Sequence, residues 1–454
     1  MKVLLLFASL IPFDSPLNNT LEYFQTRGLT PVYLIQPVDW SDVLADIETL
    51  LVKDEMLNPV DRGMFIFFGP FFKKNNLFNT TFTLNAGKKS TEFFGNFDFQ
   101  AAGALQKHCT FAQGIRFHFT SQPDYAGPKP WKDIVQAYLN EGYIKFADNQ
   151  TIFVVGRRNL LLGPNTDYSL LLSPAREGYD GILFSHHGKY YAFHTTFSVL
   201  DARKMRFLAT HRIGLVLNKL QLGFSESILW AHDLEPLYLN PLLPYYLSQW
   251  GMDRNDNIMW SFDGIVNLRQ TLIFGELLID DYQFSEPPAG YTEYPHKLAF
   301  QLGLKKILGE KLFVKLRYTF VDKWVYSHEL PYNTYEDDSL CLGFPLGNDV
   351  DQLGFDLRFY GIRKLFPKIK FEFVRKGEGS IYLPYEIERG PAYPPFPSGI
   401  VEKSIDILIG LTYSPQSFLH INCEVGKKYF YNFAHHPSQN KTENQLNVYG
   451  WLIF

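Results

Sequence analysis

Val448-Tyr449-Gly450-Trp451-Leu452-Ile453-Phe454 closes the chain, behind a polar turn at His435 to Thr442. Val448, Leu452 and Phe454 fall in alternate register, with further aromatic side chains beside them. A terminal strand that is apolar at every second position and ends on an aromatic residue has the pattern of the closing strand of an outer-membrane β-barrel. A soluble edge strand can share that pattern, so the rest of the chain has to agree with it.

Composition agrees. Aromatic residues make up 17% of the chain (Phe 41, Tyr 27, Trp 7), yet charged residues reach 20% and the mean hydropathy is only −0.13. A helical membrane protein needs runs of about 20 apolar residues, and the sequence contains none. A transmembrane barrel needs only short segments, half of whose positions are polar. Lys and Arg total 43 against 47 Asp and Glu, a net charge of −4, which excludes nucleic acid as an expected partner. Cys109, Cys341 and Cys423 lie far apart, with no Cys-x-x-Cys spacing, so neither a disulfide scaffold nor a metal site is expected.

Lys2 followed by the apolar stretch Val3–Ile11, which Pro12 ends, reads as an abbreviated export signal. Residues 1–15 are therefore expected to be a signal peptide, residues 16–60 a periplasmic helical region and residues 61–454 the barrel. In the helical region, Leu21 and Phe24 lead to a stop at Gly28. Further on, Val43, Leu44, Ile47, Leu50 and Leu51 recur at spacings of three and four, as on an amphipathic helix.

From about Met64 the period becomes two. Leu298, Phe300, Leu302 and Leu304 oppose Lys297, Ala299, Gln301 and Gly303. Leu312, Val314, Leu316, Tyr318 and Phe320 oppose Lys311, Lys315, Arg317 and Thr319, and Ile115, Phe117 and Phe119 oppose Arg116, His118 and Thr120. One face suits lipid and the other water. A β-sandwich also alternates, but usually ends within about 100–250 residues, whereas this pattern runs without a break. The segments number roughly 16 to 18, giving an antiparallel transmembrane barrel whose bore side chains alone need not fill. Leu234 to Asp256, Ser327 to Asp351 and Leu383 to Ser398 read as its longest loops.

Several motifs invite chemical readings. Glu226 and the pair Asp280-Asp281 have the residue types of a glycan-cleaving acid and base. Strand spacing cannot establish a carboxylate separation, and a lumen charge network of Arg157, His211, Arg212, Glu226, Glu276, Asp280 and Asp281 is the expectation. His186-His187 and His435-His436 are adjacent pairs, and neighbours on a strand point to opposite faces, so no metal is expected. No cofactor is expected either. The loops are rich in Tyr238, Tyr245, Tyr246, Trp250, Tyr332, Tyr335 and Tyr385, with Asn240 and Asp337 among them. Such rings stack on sugars while the polar groups accept hydroxyl hydrogen bonds; an aromatic girdle at the bilayer interface enriches the same residue types.

The central third carries an ordered set of motifs. Thr210-His211-Arg212 is followed by Gly223-Phe224-Ser225-Glu226, Leu239-Asn240-Pro241, Asp256-Asn257 and Ile279-Asp280-Asp281-Tyr282. Gly156-Arg157, Leu170-Leu171-Leu172-Ser173 and Leu346-Gly347-Asn348-Asp349 flank them. The order resembles that of the capsule assembly protein Wzi family over nearly the whole chain. That resemblance implies an outer-membrane barrel with an N-terminal helical region. Its implied partner is capsular or extracellular polysaccharide, held by a lectin-like anchor that catalyses nothing. A monomer in outer-membrane lipid, delivered by the barrel-assembly machinery through Phe454, is the expected form. The other open reading is a channel for small solutes: loops that close the bore favour the anchor, and an open polar lumen favours the channel.

Overall fold

A computed structural model describes residues 16–32, 35–36, 43, 57–64, 78–89, 92–106, 108–119, 135–148, 150–174, 178–282, 290 and 293–453. The expected signal peptide, the expected helix over 42–51 apart from Val43, and Phe454 lie outside the described residues. Short two-residue ladders aside, the strands form one closed antiparallel barrel of 18. Its wall begins with β1 (Phe78–Lys89), β2 (Glu92–Gln106), β3 (Cys109–His118), β4 (Gln136–Ala147), β5 (Thr151–Arg158) and β6 (Tyr179–His187). It continues through β7 (Tyr191–Asp201), β8 (Arg206–Val216), β9 (Leu220–Ala231), β10 (Asn257–Leu268), β11 (Thr271–Asp281) and β12 (Lys297–Leu308). β13 (Leu312–Val321), β14 (Val350–Phe359), β15 (Leu365–Lys376), β16 (Glu402–Gln416), β17 (Leu419–Tyr431) and β18 (Lys441–Ile453) complete it. Each strand pairs with its sequence neighbours, and β18 closes on β1 with Ile453 opposite Thr81.

The alternation expected from the sequence is present. Leu302 is 58% exposed, while Gln301 and Lys315 on the other face are fully buried. Tight turns such as residues 217–219 and 309–311 share one end of the wall with Ile453; long loops at residues 159–178, 232–256, 322–349 and 377–401 share the other. In outer-membrane barrels such turns face the periplasm and such loops the exterior.

The bore is not open. A barrel this wide leaves a channel unless something fills it. Leu170, Leu171 and Leu172 from the loop 159–178 pack with Tyr326, Tyr335 and Phe344 from the loop 322–349 against Leu208, Leu229, Met259, Leu278 and Val321 of the inner wall. The wall carboxylate Glu276 holds this plug. It accepts from Ser169 Oγ (2.9 Å) and from the main-chain N–H groups of Leu170 (3.1 Å) and Leu171 (3.2 Å). Ser261 and Gln301 donate to the same carboxylate.

The turn end is filled by helix. α1 (Pro16–Arg27) buries Leu17, Leu21 and Phe24. It stops at Gly28, whose positive φ of 72 lets the N–H groups of Gly28 and Leu29 reach back to Gln25 O and Phe24 O. Arg27 ties it to Asp61 of α2 (Pro59–Met64) at 2.8 Å. Asn267 Nδ2 donates to Gln25 O (2.9 Å) and Tyr23 Oη to Glu310 O (2.8 Å), fixing the helix to the end of β10 and to the turn after β12. Its Glu22 enters the bore, where Lys305 (2.9 Å), Lys315 (3.0 Å) and Arg358 (2.6 Å) surround it.

Candidate functional site

Two longer loops carry short helices, α3 (Tyr245–Gly251) and α4 (Tyr385–Glu388). Between them, at the loop end of β10 and β11, is a cleft of about 260 Å³. The ladder between these strands runs only up to Trp260 and Ile279, and the next partner of β11 shows a register shift between Ile279 and Asp281. Such bulges re-aim side chains at a strand end, and here they open the wall. Tyr246, Trp260, Tyr282 and Tyr294 line the cleft together with Asp256, Asp280, Asp281, Glu329 and Glu386; Lys297 and His328 complete its polar lining.

Each ring is held from behind. Tyr246 meets Trp260 edge-on at 5.3 Å and stays 47% exposed. Tyr282 stacks on His296 at 4.3 Å and 15°. The Tyr294 hydroxyl donates to Glu386, which also faces Lys297 Nζ at 3.8 Å. Burial alone would raise the Glu386 pKa, but Lys297 and the Tyr294 hydrogen bond outweigh it and hold the carboxyl below its usual range. Burial, with Lys297 adding to it, pushes His328 down to about 4, so its imidazole is neutral at physiological pH. Asp256 accepts from Tyr238 Oη and Arg254 Nε, both at 2.8 Å, and Asp280 accepts from Tyr326 N at 2.5 Å. Fixed rings beside carboxylates suit a flat, hydroxyl-rich molecule.

The residues singled out in the sequence scatter. Tyr246, Asp280 and Asp281 meet in the cleft, and Trp250 is 72% exposed beside Tyr246. Tyr238, Tyr245, Tyr335 and Tyr385 are buried and offer no ring face to solvent. Tyr238 and Tyr245 pack on Trp230 and Phe207, Tyr335 belongs to the plug, and Tyr385 packs on Trp324. Asn240 is exposed and accepts from Leu242 N; Tyr332 is half-buried against His232, and Asp337 lies in a two-residue ladder with Leu340. Trp260, Tyr294, Glu329 and Glu386 were not read from the sequence: Trp260 is one more residue on an apolar stripe, and the others sit in loops without a motif.

The expected lumen network divides across the wall. Arg212, Glu276 and Asp280 face inward, Arg212 forming a buried bidentate pair with Asp263 at 2.9 and 2.8 Å. Arg157, His211 and Glu226 instead share the outward register of the exposed Val155, Ile213 and Leu222. Arg157 pairs there with Asp180 at 2.5 Å, and His211 Nε2 lies 3.3 Å from Glu226. Glu226 caps α3, accepting from Tyr245 N (2.7 Å) and Tyr246 N (2.9 Å), where Pro244 has no side chain to do so. Among the described residues no group of three acidic, His or Cys side chains has the geometry to hold a metal.

No protein-family model and no curated protein matches the sequence. Solved structures do match the fold. Wzi of Escherichia coli, described as an outer membrane protein involved in group 1 capsule assembly and a carbohydrate binding β-barrel, superposes with a TM-score of 0.69 at 13% identity, covering 98% of this chain and 99% of that one. The fold is that of Wzi. OccD3 (OpdP) of Pseudomonas aeruginosa covers 84% of this chain and 91% of its own, with a TM-score of 0.49 at 10% identity. The protein is an outer-membrane β-barrel, and its likeness to Wzi is one of fold over 98% of the chain.

Proposed function

We propose that the protein is a lectin-like anchor that attaches or helps assemble capsular or extracellular polysaccharide at the cell surface. The observation that carries this reading is a plugged bore beside a solvent-facing cleft of held aromatic rings and carboxylates. The plug leaves transport of small solutes without a path, while the cleft has the chemistry of sugar recognition. The carbohydrate-binding barrel whose fold it shares adds support from a separate direction.

The site binds and does not cleave. Glu226 is spent on four partners, namely two α3 amides, Trp260 Nε1 and His211. At about 260 Å³ the cleft is smaller than the roughly 300–1,000 Å³ of sites that enclose a whole ligand. It takes one segment of a polymer, and many barrels on one cell hold the chain by avidity. In this reading the protein is a monomer, α1 and α2 stand at the periplasmic mouth, and Phe454 is what the barrel-assembly machinery reads.

The test is deletion of the gene in its native host, with polysaccharide measured on cells and in the medium. Polymer that is still made but shed supports the anchor. Unchanged retention, together with ion conductance by the purified protein in planar bilayers, would replace it with a channel.

A further inference from the structure

The loop 232–256 does not stand above the barrel. It folds back over the outside of the wall. Phe207, Ala209, Ile228 and Trp230 have outward register, yet they are buried, because Tyr238 and Tyr245 cover them. β8 has 11 residues, and a tilted membrane-spanning strand needs about 9–11. Phe207 and Ala209 therefore lie within the length that crosses the bilayer, and whatever covers them sits at membrane depth. Immediately below, Phe224 and Phe262 pair across β9 and β10 at 5.1 Å, and Phe262 and Leu222 are 45% and 46% exposed in the apolar belt. Glu226 and Trp260, which hold α3, are only two positions further along the same strands.

The same loop exposes large apolar side chains. Leu242 is 80%, Leu247 57% and Trp250 72% exposed. Three large apolar side chains this open in one short segment are costly in water, at about 25 cal/mol per Å² of apolar surface. Trp at such a level, with Leu beside it, has the character of an interfacial element lying in the plane of a membrane.

We propose that Leu242, Leu247 and Trp250 form a lipid-contact face, through which α3 lies in the outer leaflet and extends the lipid belt of the barrel around the loop. The occupant is lipid, because the face is continuous with the belt and lies within the strand length that spans the bilayer. Held at that level, α3 also fixes Tyr246, so the mouth of the cleft opens at the membrane surface rather than above it.

The experiment compares the full-length protein with Trp250→Phe, both reconstituted in phosphatidylcholine vesicles with and without bromine on the acyl chains. Other tryptophans are common to both proteins and cancel in the difference. The expected result is a loss of lipid-quenched fluorescence in Trp250→Phe, with little change in quenching by aqueous acrylamide. Leu247→Trp in that background restores the lipid-quenched signal. If the signal lost is instead the acrylamide-quenched one, the face is in water and the proposal fails. If neither quencher reaches it, a second protein surface covers the face, and the proposal fails in that way.

Discussion

Thr166 donates its hydroxyl to Glu22 at 2.6 Å. The first residue belongs to a loop that leaves the barrel at one end and the second to a helix that enters at the other, so the two plugs touch inside the wall. Glu22 is also the counter-charge for Lys305, Lys315 and Arg358. Glu22→Gln keeps the shape and removes the charge that Lys305 and Arg358 pair with, while Lys315 keeps Asp167 at 3.0 Å. The loss should be about 3–5 kcal/mol, as for breaking a buried pair from one side, measured by urea unfolding from vesicles.

The same site sets a pH limit. Burial would raise the Glu22 pKa, but Lys305, Lys315 and Arg358 outweigh it and hold the carboxyl well below its ordinary range. A carboxyl depressed in the folded state stabilises fully above its unfolded pKa, about 4.3, and the stabilisation fades as pH falls towards the folded value. The protection of α1 amides against hydrogen exchange, taken relative to the intrinsic rate at each pH, should therefore stay flat from pH 8 to 5 and fall only below about pH 4. An α1 that loosens near pH 6 would contradict the assignment.

Glu276 makes a separate prediction about the bore. Glu276→Ala removes the acceptor of the Leu170 amide and of Ser169 Oγ, at about 1–3 kcal/mol for each buried group left unpaired. The wild-type protein should be electrically silent in planar bilayers, and the variant should show intermittent openings.

Asp337 has the opposite sign to Glu22. Burial, with Asp338 second, raises its pKa to about 7. A carboxyl raised in the folded state favours folding at low pH, and that contribution is lost as pH rises through the folded value. Proteolytic nicking of the ladder Glu336–Asp337 with Leu340–Cys341 should increase from pH 6 to pH 8. In Asp337→Asn it should not change over that interval.

The cleft can be tested ring by ring. Tyr246→Ala and Tyr282→Ala each remove a half-exposed face, and a stacking contact of about 1 kcal/mol corresponds to roughly fivefold weaker binding of purified polysaccharide. Tyr335→Phe, which alters only buried hydrogen bonds to Ser227 and Leu171 O in the plug, should leave the affinity unchanged.

The wall was legible from period two alone, because lipid outside and a packed lumen inside impose opposite chemistry on alternate residues. The register also contained more than was first read from it. His211 and Glu226 share the stripe of Ile213 and Leu222, and polar groups on a lipid-facing stripe mark a place where something covers the wall. β11 similarly buries Leu272, Phe274 and Leu278 on its inner face while Ile273 and Leu277 face outward; a strand apolar on both sides points to a filled bore. The cleft was less legible. Tyr294, Glu329 and Glu386 come from loops without periodicity, and only tertiary packing brings them to Asp280 and Asp281.

Glu22 meets Lys315 across 293 residues of sequence and Arg358 across 336. The ion pairs of α1 are therefore unavailable until β12, β13 and β14 stand side by side. Contacts so distant in sequence carry a large chain-closure cost and form late. A helix that precedes the wall in the chain is therefore seated after it. Until then the Glu22 carboxylate lacks these partners, and the completed wall acts as the dock for α1.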